Sequence, residues 1–157
     1  MSHWNVLVGL VLVVWLIVRQ LQVRPVKERK PYRIAWILAV IGVVEIVNFL
    51  GGRPLPPVGY LIMVVSLLVA ALFGYLRARV TSVWRQDDGV LVRQGNAVAA
   101  VLWVVGVALH LGTDLVLRSA VPDLAQLGSV SLLLYLAVTI AAQRWVLTEK
   151  AARLATA

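Results

Sequence analysis

Four side chains in this 157-residue sequence combine a chemically useful type with helical spacing inside apolar runs. Glu45 and Asn48 stand at i and i+3, and His110 and Asp114 at i and i+4, so each pair shares a helix face. Ionisable groups within apolar spans are expensive and are functional candidates by default. Two carboxylates, an imidazole and an amide could hold a proton, a divalent metal or a small polar ligand. The same groups could instead join two helices by hydrogen bonds, and both readings stay open at this stage. Acid–base catalysis by Glu45 or His110 is a third reading. No Walker A loop, GxSxG elbow or HExxH helix accompanies them, so no catalytic residue is assigned and the reading leans away from an enzyme. The absence of cysteine excludes disulfides, thiolate metal sites and thiol nucleophiles.

The elements that must position these residues are set by hydropathy. Apolar residues make up 61% of the chain, well above the share in soluble domains, which argues for a lipid environment. Helices of about 20 residues are needed to cross a bilayer. The sequence predicts an all-α transmembrane bundle of five spans, at 2–21, 34–50, 58–75, 97–117 and 124–142, forming one membrane domain over 1–157. The first is the shortest apolar run, and its basic residues follow it, as in an uncleaved anchor with its N-terminus outside. Gly51-Gly52 and three prolines close the second span. The polar stretch 76–96 contains Asp88-Gly89 between β-favouring residues, which predicts a small cytoplasmic β-hairpin. The tail 143–157 is expected to continue as a cytoplasmic amphipathic helix with Trp145 at the interface.

Charge orients this arrangement. With the N-terminus outside, 13 of the 15 Lys and Arg residues fall on the cytoplasmic side, and only Arg53 and Arg118 outside. The C-terminus is then cytoplasmic. The net charge of +8 reads as topology and attraction to membrane lipids, and not as nucleic-acid binding, because no recognition motif accompanies it. The surplus of Arg over Lys, with abundant Ala, Val and Leu, fits GC-rich bacterial coding and a cytoplasmic (inner) membrane location.

Depth brings the four candidates together. From the cytoplasmic ends, Glu45 and Asn48 lie roughly 16 and 21 Å in, and His110 and Asp114 roughly 20 and 26 Å in. The expectation is a polar pocket between the second and fourth spans, open to the outside, with Gly42 and Gly106 allowing close approach. Its occupant is left open: a divalent metal, or, more weakly, a haem if His3 joined His110. Ser66 has no suitably spaced partner and is expected to bond its own helix carbonyl. Ala70 and Gly74 form a small-xxx-small pair that predicts a helix contact. Trp103 is expected to pack on the side of His110.

The short first span followed by Arg19-Gln20 and Arg24-Pro25, then Trp84-Arg85-Gln86-Asp87-Asp88-Gly89 with Arg93 after it, resembles the CcdC-like group of small bacterial membrane proteins. That resemblance covers about residues 10–145 and implies no activity. The expected function is therefore a non-enzymatic accessory subunit or binder of a small ligand or ion. The alternative is a homo-oligomeric transporter or channel for protons or metal ions, since five helices are few for a complete pathway.

Overall fold

A computed structural model describes residue 18 and residues 21–25, 32–87 and 89–155, without the side chains of Asp114, Arg118, Ala120 and Ala155. The expected first span, 2–21, therefore lies almost entirely outside the described residues, as does His3. Four helices follow: α1 (Arg33–Leu50), α2 (Pro57–Val80), α3 (Ala97–Ala120) and α4 (Leu127–Ala155). All four are long and apolar enough to cross a membrane. Their surfaces agree with that, because Ile37, Val44, Leu61, Leu68, Leu109 and Leu115 are all exposed.

The last helix is the hub. Both α1 and α2 make their principal contacts with α4, and α3 packs against α2 and α4. Small residues set the crossings. A Cβ on Gly42 would lie 2.6 Å from the Leu134 backbone nitrogen, so α1 and α4 touch backbone to backbone there. Gly74 meets the Thr139 carbonyl in the same way, and Ala70, one turn earlier, is fully buried. The Ala70–Gly74 pair thus marks the α2–α4 contact, with the two backbones brought close as small residues permit.

One end of the bundle is closed by Leu55, Leu117, Leu124 and Leu127, which form a compact apolar cluster. The opposite end carries a three-stranded antiparallel sheet. The expected hairpin forms from β2 (Ser82–Arg85) and β3 (Leu91–Gln94), with Gly89 at φ +82° in its turn. A strand that the sequence reading missed, β1 (Arg24–Pro25), adds to the free edge of β3 and gives the order β1-β3-β2. Two residues with a proline carry too little periodicity to announce a strand.

The tail does continue as a helix, in one piece with the preceding span. At 29 residues α4 is about 43 Å long, more than a bilayer's hydrocarbon thickness, and its last turns pack against the sheet. Lys150 Nζ donates to the carbonyls of Ala78, Arg79 and Thr81 at 2.8, 2.9 and 3.1 Å. These include the orphan acceptors at the C-terminus of α2. Asn96 caps α3 by accepting from Ala99 N at 2.9 Å, and its amide donates to Val80 O at 3.1 Å. The helix ends around the sheet are thereby tied to one another.

Candidate functional site: an arginine-lined cavity beside a closed histidine joint

Of the four candidates chosen from sequence, Glu45 and Asn48 are not brought together with His110. Glu45 and Asn48 lie on the exposed side of α1, while Gly42 and Ile46 face α4. His110 is buried, at 4% exposure, and takes its partners from α2 and α4. Asp114 is one turn further along α3, and its side chain is outside the described set. Among the described residues, no three His, Cys, Asp or Glu side chains assemble into a metal-ligand group.

His110 is instead the centre of a hydrogen-bonded joint. Its Nδ1 lies 2.8 Å from Ser66 Oγ, and its Nε2 lies 2.9 Å from Gly128 O. A carbonyl can only accept, so Nε2 carries the proton and donates to it; in the neutral ring Nδ1 then accepts from the Ser66 hydroxyl. The expectation that Ser66 bonds its own helix is corrected: its partner stands 44 positions away on another helix, where helical spacing gives no signal. The imidazole stacks on Tyr135 with ring centroids 4.3 Å apart, and Tyr135 donates its hydroxyl to Gly106 O at 2.9 Å. This network joins α2, α3 and α4.

The second polar cluster was not foreseen. Where the bundle meets the sheet, a cavity of about 550 Å³ is lined by four arginines: Arg24 of β1, Arg77 of α2, Arg93 of β3 and Arg144 of α4. Its remaining wall includes Ile34, Trp103, Leu136 and Ile140. Trp103 therefore does lie on the inner side of α3, one more turn from His110 than Gly106.

Nothing negative balances these charges among the described residues. Arg77 is 4% exposed, and its buried Nε has no hydrogen-bond partner. Arg24 and Arg93 face each other directly across the β1–β3 ladder, a pairing that repels. Arg93 is lowered from its usual value to about 10, mainly by burial and then by the neighbouring Arg144 and Arg24. Arg77 is buried and the other three are half-buried; an uncompensated buried cation costs a fold stability, so the group calls for a counter-charge. Guanidinium forks match the oxygens of phosphate and carboxylate.

A sequence signal for the site did exist. Arg77 follows Ala70 and Gly74 at i+7 and i+3, on the small-residue face that packs against α4. An arginine on such a face is buried, not a marker of topology.

Comparison with protein families, curated proteins and solved structures returns no match to this chain.

Proposed function

We propose that this chain is a non-enzymatic, multi-pass protein of the bacterial cytoplasmic membrane that binds a small anionic ligand in the arginine-lined cavity. The observation that carries this reading is Arg77, a buried arginine whose Nε lacks a partner, lining an open cavity with three further arginines. Five spans, with 2–21 as the first, would put the sheet and the cavity on the cytoplasmic side, in keeping with the 13-to-2 charge split.

The test is thermal unfolding of the purified full-length chain in neutral detergent at constant ionic strength. Millimolar phosphate or sulfate, in place of chloride, should raise the midpoint by about 3–5 °C. Arg77→Gln and Arg93→Gln should lose that rise. An equal rise in both variants would refute the reading.

One observation favours a second reading, self-association of the kind an oligomeric transporter needs. Glu45 and Asn48 are exposed on a helix whose outward residues are otherwise mostly apolar. A carboxylate facing lipid at mid-span costs about 2.5–3.5 kcal/mol on insertion scales, and a partner helix would relieve it. Particle mass in native-lipid discs decides: Glu45→Ala should shift oligomer to monomer, and a wild-type monomer removes this reading.

A further inference from the structure

The anionic ligand proposed above can be narrowed by the rest of the cavity wall, and this inference rests on that reading. A free phosphate would fill on the order of a tenth of a space this large, given the share of volume a water takes. Beside the polar Thr81, Thr139 and Gln143, the remainder is bounded by Ile34, Leu136 and Ile140, which offer nothing to a hydrated ion, and by the largely apolar ring of Trp103. They would cover the glycerol and first methylenes of an amphiphile well.

The cavity also has an apolar rim. Ile34 lines it and is at the same time 59% exposed on the outside of α1, next to Ile37 and Trp36. The wall is therefore continuous with the surface that α1 presents to lipid. A ligand could pass from the bilayer into the cavity without its tail crossing water. Charge narrows the head. Four guanidinium groups face one space, and a phosphodiester brings one negative charge where a terminal phosphate brings nearly two.

We infer that the cavity takes a membrane lipid whose head is a terminal phosphate, held by Arg77, Arg93 and Arg144 with its first methylenes against Trp103 and Ile140. No bond is made or broken. Arg24, on the two-residue strand β1, closes the fourth side over the head.

The experiment titrates the purified full-length protein, in neutral detergent, with short-chain phosphatidic acid, phosphatidylglycerol, phosphatidylcholine and glycerol 3-phosphate. Binding is read by native mass spectrometry and by the unfolding midpoint. Phosphatidic acid should bind saturably, at least roughly tenfold tighter than phosphatidylglycerol. It should bind more than about a hundredfold tighter than glycerol 3-phosphate, whose head is the same but which has no tail. Arg93→Gln and Arg144→Gln should each weaken phosphatidic acid by roughly tenfold, and Arg85→Gln should not, because Arg85 is exposed, lies outside the cavity wall and reaches toward Leu154 O. Ile140→Ser should weaken phosphatidic acid while leaving glycerol 3-phosphate unchanged.

Equal affinity for phosphatidic acid and glycerol 3-phosphate would overturn the lipid and leave the anion site standing. Equal affinity for the two anionic lipids would overturn the terminal phosphate. Arg85→Gln weakening binding as much as Arg93→Gln would overturn it too, by reducing the effect to general surface charge. If none of these anions bound, the anion site would fall with it.

Discussion

Two polar clusters lie along the same three helices and differ in how their groups are matched. Around His110, both ring nitrogens and the Ser66 and Tyr135 hydroxyls have partners: the imidazole meets Ser66 and Gly128, and Tyr135 meets Gly106. Around Arg77, four cations share a cavity and a buried Nε has no partner. Between them Arg77, Trp103, Gly106 and Tyr135 border a gap with no room for a water molecule. Both clusters would look alike to an argument that treats any polar residue in a membrane span as functional. The difference lies in satisfaction. A buried group whose bonds are complete is a joint, whereas one left incomplete at a cavity wall is the candidate for a site.

The sharpest way to break this contrast is His110→Ala. It removes a stacked ring and takes from the Ser66 hydroxyl its partner on α3, while the Gly128 carbonyl keeps Ser131 Oγ, so unfolding in detergent should show a loss of about 2–4 kcal/mol. Anion binding should be unchanged; loss of binding would merge the two clusters into one site. Arg77→Met should act in the opposite sense. Replacing an uncompensated buried cation with an apolar side chain should stabilise the ligand-free protein by about 1–2 kcal/mol, while the stabilisation by phosphate disappears. A destabilised, phosphate-responsive variant would show that Arg77 is itself a joint.

Tyr135→Phe keeps the ring on His110 and deletes one hydrogen bond, for about 0.5–1 kcal/mol measured by the same unfolding. Lys150→Met should cost the least, about 0.5 kcal/mol, because Lys150 is itself only half-buried and one of its three carbonyls, that of Arg79, is exposed to water. Hydrogen exchange at Thr81 and Ser82 would locate that loss at the end of α2.

The two clusters were also unequally legible from sequence. Hydropathy placed the four helices, and Asp88-Gly89 placed the hairpin, because both are local signals. His110 stood out as an ionisable residue in an apolar run. Its partners did not, since Ser66 and Gly128 are joined to it only by the packing of α2 and α4 against α3. The arginines were harder to read, because a basic residue near the end of a span has an ordinary explanation in membrane orientation. Arg24, Arg77, Arg93 and Arg144 fall in four separate segments, and only the addition of β1 to the sheet brings the first beside the third. Glu45 and Asn48 misled for a related reason. Residues three apart share a face of their helix, but that does not say which neighbour the face meets. Gly42 packs on α4, while Glu45 lies on the exposed side.

The position of α4 at the hub has a consequence for biosynthesis. A chain is made from its N-terminus, so α1 and α2 enter the bilayer before the helix that both chiefly pack against has been translated. Until then the backbone surfaces around Gly42 and Gly74 lack the Leu134 and Thr139 backbone that they meet in the finished fold. β1 likewise waits for β3, which follows it by two whole spans. The contacts of α1 and α2 with Leu127–Ala155 can therefore form only after both have already been inserted, so the order of synthesis and the order of packing are opposed in this bundle.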